Sequence, residues 1–121
     1  MVHSDDGLDE LSITDCTQIG RVENGRVEPG RIDPEPLGLS CDSLEQLRAR
    51  DVEHAADMVR QIIGGDDGPP TDMTLLSAGA AMVVAGAAGT IESGIELARE
   101  SIGSGRAQRA LDDLARLSHE R

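Results

Sequence analysis

The stretch Thr17 to Ile32 reads TQIGRVENGRVEPGRI, with Ile19, Val22, Val27 and Ile32 placed around the pair Asn24-Gly25. Asn-Gly supplies the two positive backbone dihedrals that a tight hairpin turn needs, so the stretch predicts two short strands, 17–23 and 26–32. Reading forward, DPEPLGL at 33–39 contains Pro34 and Pro36, which restrict themselves and their predecessors, and predicts an extended connection. From Ser43 the period becomes helical. Ser43 with Gln46 fits a capping box, and Val52, Ala55, Ala56, Val59, Ile62 and Ile63 form an apolar stripe that stops at Gly64-Gly65. A break near 49–51 divides this region into a short helix at 43–48 and a longer one at 52–63. GGDDGPP then punctuates the chain, and 72–84 reads as an Ala- and Gly-rich apolar helix whose composition lets neighbouring backbones approach and implies burial on most sides. Thr90 caps a helix at 91–102 with Ile91, Ile95, Leu97 or Ala98, and Ile102 inward. Gly103-Ser104-Gly105 stops it, and a last helix at 106–118 turns Ala107, Ala110, Leu111, Leu114 and Leu117 inward. The tally is one β-hairpin followed by four or five helices, preceded by an acidic loop at 1–12.

Composition narrows the function. The 121 residues contain no Phe, Tyr or Trp, which leaves a thin aliphatic core and no aromatic platform for nucleic-acid bases. The 23 acids face 11 basic residues, all arginine, for a net charge of −12 spread along the chain. That field repels a phosphate backbone and an anionic membrane, so neither nucleic acid nor membrane is an expected partner. Acidity without lysine suits a halophilic protein, in which high salt screens self-repulsion. Cys16 and Cys41 stand alone, with no CxxC and no secretory leader, which points to free thiols and a cytoplasmic location. No apolar run reaches the length of a membrane span.

Candidate chemistry concentrates at the N-terminus. His3, Ser4, Asp5, Asp6, Asp9 and Glu10 surround Gly7, and adjacent carboxylates on a loop offer hard oxygen ligands of the kind Mg²⁺ shares with substrate phosphates. The competing reading is a solvated acidic loop in a chain that is acidic throughout. The loop lacks the calcium-binding pattern. Gly64 to Gly68 has neither a following Lys-Ser or Lys-Thr nor a GxGxxG pattern, and Asp66-Asp67 would oppose an anion. No GxSxG elbow surrounds Ser77, and His54 and His119 have no spaced partners. Composition and spacing identify no catalytic residue.

The segment VHSDDGLDELS at 2–12 resembles the VHGxDGxDE segment of the anthranilate phosphoribosyltransferase family, glycosyltransferase family 3. The order that follows is also similar: the hairpin, DPEPLGL, LRARDVEHAADMV, GPPTDMTLLSAGAAMVVAG, TIESGIELARESIGSGRA and a closing helix. The resemblance spans essentially all of the chain and only about the C-terminal third of a complete family member. It implies an α/β fold, here the C-terminal part of a nucleoside phosphorylase/phosphoribosyltransferase-like catalytic domain over 1–121. The N-terminal helical domain and the phosphoribosyl pyrophosphate-binding loops of the family have no counterpart. The implied activity is transfer of phosphoribose from 5-phosphoribosyl 1-pyrophosphate to anthranilate with release of pyrophosphate, in tryptophan biosynthesis. Asp9 and Glu10 become the metal-binding carboxylates for Mg²⁺, and His3, Asp6 and Gly7 the substrate-pocket residues. Three departures stand out: Ser4 where the family usually has Gly, and His54 and Ser77 where it usually has Asn.

The same resemblance leads to the expectation that the isolated chain is inactive, as a fragment or as one half of a split enzyme completed by an upstream-encoded protein. Two other readings stay open at this point. One is a related phosphoribosyltransferase or nucleoside phosphorylase with another acceptor, since Asp9 and Glu10 say nothing about the acceptor. The other is a non-catalytic acidic helical fragment that docks a partner or is a decayed remnant.

Overall fold

The computed structural model describes residues 1–120. Three antiparallel strands, β1 (Val2–Ser4), β2 (Thr17–Glu23) and β3 (Arg26–Ile32), lie in the order β1-β2-β3. Four helices follow: α1 (Val52–Gly64), α2 (Pro69–Val84), α3 (Ile91–Gly103) and α4 (Arg106–His119). The hairpin forms as its sequence dictates, with Glu23 opposite Arg26 and both Asn24 (φ 50°) and Gly25 (φ 75°) in the left-handed region. Its tip projects beyond the core, and the facing pair Val22 and Val27 is about 70% exposed (71% and 70%).

The short strand β1 falls within the stretch expected to be loop. Val2 pairs with Ile19 and Ser4 with Thr17, partners far along the chain that a local pattern of three residues does not announce. Residues 33–39 also differ from the extended connection expected. Pro34 adopts helical dihedrals (φ −74°, ψ −26°) and opens a 3₁₀ turn at Glu35–Leu37 that closes on Gly38 in the left-handed region. Because proline's fixed φ suits a helical first turn, a proline pair can start a turn as readily as extend a chain. The Ser43–Gln46 capping box is absent as well. Ser43 accepts instead from the Glu45 amide and starts a 3₁₀ turn at Leu44–Leu47, while the longer helix α1 is capped by Asp51, whose carboxylate accepts the His54 amide at 2.7 Å.

The helix α2 begins at Pro69, earlier than the sequence reading at 72, because Pro69 and Pro70 occupy first-turn positions whose amides have no helical partner. It buries Thr71, Leu75, Leu76 and Gly79, packs Met73, Ala78, Ala80 and Met82 against the same core, and leaves Thr74, Ala81 and Val84 exposed along one strip, so it is covered on most sides. The core comprises Leu11, Ile13, Leu39, Leu75, Leu76, Ile95 and Ala98. Leu11 and Ile13 come from the loop joining β1 to β2 and lock it onto α2 and α3. The helix α3 starts with a full capping box between Thr90 and Ser93 and crosses α2 at Gly94 and Gly79. A methyl on Gly79 would stand 2.9 Å from the Ile95 amide nitrogen, and one on Gly94 2.8 Å from Gly79 Cα, so the two backbones touch directly. In α4, Ala107 and Leu111 are half-buried, but Ala110, Leu114 and Leu117, expected inward, are exposed, the two leucines because the C-terminal half of the helix extends past its neighbours.

Candidate functional site

The loop from Asp5 to Cys16 leaves β1, carries the acidic residues and returns to β2. Each of its acids has a distinct environment. Asp5 pairs with Arg31 of β3 at 2.9 Å and accepts Gln18 Nε2 at 3.1 Å, which ties the start of the loop to the sheet. Asp6 Oδ1 accepts the Leu8 amide at 3.0 Å, and its Oδ2 accepts the hydroxyls of Ser12, at 2.5 Å, and Thr14. Partial burial pushes the Asp6 carboxyl up, but the Ser12 and Thr14 hydroxyls, the Leu8 amide and Ser4 together outweigh it and lower its pKa to about 2. Asp6 is therefore an ionised hub at neutral pH.

Around that hub the backbone turns tightly. Gly7 has φ 96°, its amide donates to the Ser4 carbonyl at 3.0 Å, and the Ser4 amide donates to the Leu8 carbonyl at 2.9 Å. Ser12 is fully buried, and its amide donates to Thr17 Oγ1 at 3.1 Å at the start of β2. Ser4, the departure from the resembled glycine, is accommodated without conflict. Its side chain is buried and its hydroxyl donates to the Cys16 carbonyl at 3.2 Å. His54 is accommodated similarly, with its Nδ1 accepting the Arg50 amide at 3.1 Å at the start of α1.

Asp9 and Glu10 occupy the tip between these anchors. Both are exposed, and neither carboxylate is engaged by another described side chain. His3 is exposed on β1, opposite Gln18. The structure thus separates the acidic cluster into two acids committed to holding the loop, Asp5 and Asp6, and two held free, Asp9 and Glu10. Among the described residues no three His, Cys, Asp or Glu side chains converge into a closed metal cage. The donor set instead fits the open manner in which Mg²⁺ is bound, by one or two carboxylates with water and substrate phosphates completing its shell. Sequence reading passed over Ser12 and Thr14. An aspartate followed six and eight residues later by hydroxyls was the available signal, and it acquires meaning only once the loop closes.

A cleft of about 720 Å³ adjoins the loop at Leu11 and is lined besides by Val2, Ile19 and Ile32 from the sheet and by Ala80, Val84 and Ile91 from α2 and α3. None of His3, Asp6, Gly7, Asp9 and Glu10 lines it. Cys16 and Cys41 are half-buried free thiols. No described helix is long and apolar enough to cross a membrane.

This fold, with its acidic loop at the head of the sheet, matches the glycosyl transferase family a/b domain over residues 1–108, and the chain belongs to that family. Within it, the relatives are specific. Anthranilate phosphoribosyltransferase of Azorhizobium caulinodans is 40% identical over 116 residues, 96% of this chain and 34% of the relative, and that of Thioalkalivibrio sulfidiphilus is 41% identical over 114 residues, 94% and 34%. Among solved structures, anthranilate phosphoribosyltransferase from Thermus thermophilus superposes with a TM-score of 0.80 at 33% identity, covering 93% of this chain and 33% of that one. The Saccharomyces cerevisiae enzyme in complex with PRPP and Mg gives 0.80 at 25% identity, covering 92% and 32%. The chain spans about a third of the length of the curated relatives it matches.

Proposed function

We propose that the chain serves as the Mg²⁺-binding, C-terminal portion of an anthranilate phosphoribosyltransferase of tryptophan biosynthesis, acting in the cytoplasm. In the reaction, the bond from C1 of 5-phosphoribosyl 1-pyrophosphate to its pyrophosphate oxygen breaks. A bond from C1 to the anthranilate amine forms, and the amine gives up a proton. The observation that carries this reading is the pair of exposed, uncommitted carboxylates Asp9 and Glu10 on a loop in which Asp5 and Asp6 tie down the start and Asp15 accepts the adjacent Cys16 amide. Asp9 and Glu10 would hold Mg²⁺, which would supply neutralisation of the charge on the pyrophosphate leaving group. Gly7 supplies the turn that presents them, Asp6 fixes that turn, and His3 lines the approach from β1. Because the relatives are about three times as long, the acceptor site is completed by further polypeptide, either in the same protein or in a separate one encoded upstream.

The test is an anthranilate phosphoribosyltransferase assay in about 2 M KCl, with the chain alone and mixed with the upstream-encoded protein. Activity is expected in the mixture only, and Asp9→Asn or Glu10→Gln should each reduce it by about a hundredfold, the scale of losing one contact to a charged transition state. Full activity in both variants would overturn the metal role. Turnover of phosphoribosyl pyrophosphate with a different acceptor, and none with anthranilate, would overturn the acceptor assignment alone.

A further inference from the structure

We infer that Asp6, Ser12 and Thr14 form a positioning latch that presets Asp9 and Glu10 for cation binding before any ligand arrives. The inference rests on the reading of Asp9 and Glu10 as the metal carboxylates, and assigns a role to two hydroxyls outside that pair. Residues 9 and 10 lie between two fixed points. On one side, Leu8 is held twice, by its amide to Asp6 Oδ1 and by its carbonyl to the Ser4 amide. On the other, Leu11 is buried in the core and Ser12 is fully buried, its amide on Thr17. Asp6 joins the two sides, since its second oxygen takes the hydroxyls of Ser12 and Thr14. Ser12 Oγ also accepts the Thr14 amide at 3.1 Å, so neither hydroxyl is free to turn away.

With the Leu8 amide donating to one Asp6 oxygen and two hydroxyls to the other, both oxygens must accept, which suits a carboxylate, whereas a protonated acid or an amide would present a hydrogen to one set of these donors. The latch therefore needs an anion at residue 6, although that anion contributes no ligand. A preset pair of carboxylates avoids the entropy of ordering the loop when the cation binds, which is the general advantage of preorganisation. Outer residues that orient metal ligands change affinity by about 10- to 100-fold when removed.

The experiment is amide-resolved NMR on the full chain in wild-type form and as Asp6→Asn, Thr14→Val and Asp9→Asn/Glu10→Gln, with Mn²⁺ as the probe. Order parameters at Asp9 and Glu10 should be near 0.85 in the wild type and fall below about 0.6 in Asp6→Asn. Paramagnetic broadening of amides 8–11 should require about tenfold more Mn²⁺ in Asp6→Asn and in Thr14→Val. Thr14→Val keeps every charge and the side-chain shape, so it decides the matter if Asp6→Asn fails to fold. Unchanged order parameters and unchanged Mn²⁺ response in a folded variant would overturn the latch. Broadening of amides 8–11 that survives in Asp9→Asn/Glu10→Gln would overturn the metal assignment instead, while the order parameters still judge the latch.

Discussion

At the scale of single residues, the acids of this loop differ in what acid does to them. The Asp6 pKa is about 2 in the folded chain against 3.8 for an ordinary aspartate, so its contribution to stability is complete above about pH 4 and is lost as pH falls toward 2. Unfolding followed from pH 6 to about pH 2 should therefore show a step in this window that shrinks in Asp6→Asn. An identical acid profile in the variant would show that the network does not contribute to folding. Asp72 has the opposite sign. Desolvation in the first turn of α2, reinforced by the nearby charge of Asp67 and opposed by Arg99, raises its pKa, so ionisation there costs stability that protonation returns. The sequence shows Asp6 beside Asp5 and Asp72 alone between Thr71 and Met73, and neither setting announces the direction of its shift. Their difference comes from neighbours brought by folding: the hydroxyls of Ser12 and Thr14 in one case, the packed start of α2 in the other.

At the scale of elements, the α2–α3 crossing makes the sharpest demand on sequence. Gly94→Ala would force a methyl into the backbone of Gly79 and should destabilise the chain by about 1 to 3 kcal/mol, the usual cost of overpacking. Gly103→Ala, at the other end of the same helix, meets open space at an ordinary negative φ and should stabilise by about 0.4 to 1 kcal/mol. Urea unfolding of both variants checks the pair, and equal effects would refute direct backbone packing at Gly94. This close approach was legible, since an Ala- and Gly-rich apolar helix has few other uses, and so was the hairpin, whose turn is specified by two adjacent residues. The helices at 91–103 and 106–119 were also legible, because Thr90 and the glycines around 103–105 mark their ends locally. What escaped was decided at a distance. The strand β1 exists only because β2 pairs with it, and Pro34 bent where its ring alone could equally have extended. The candidate site follows the same rule: the resemblance points to Asp9 and Glu10, while the Ser12 and Thr14 hydroxyls on Asp6 needed the closed loop.

For the whole molecule, charge sets the conditions of folding. The ion pairs among the described residues lie at the surface, where each is worth about 0 to 1 kcal/mol, and high salt weakens them. Against them stands a net charge of −12 on 121 residues, whose mutual repulsion salt weakens too. With 23 acids and only 11 arginines, repulsive pairs outnumber attractive ones, so screening favours the folded state. The screening length falls from about 10 Å at 0.1 M to about 3 Å at 1 M, short enough to isolate neighbouring surface charges. The melting temperature should rise by about 5 °C or more between 0.1 and 2 M KCl, roughly 1 kcal/mol for a domain of this size. A stabilising effect of KCl through surface hydration would give the same rise, and a triple variant separates the two causes. Glu28→Gln, Asp67→Asn and Glu96→Gln remove three exposed charges that belong to none of these ion pairs. If repulsion is the cause, the variant melts higher than wild type at 0.1 M and the two curves converge by 2 M. A constant gap at every salt concentration would sink the electrostatic explanation, because a difference that screening does not erase does not come from charge.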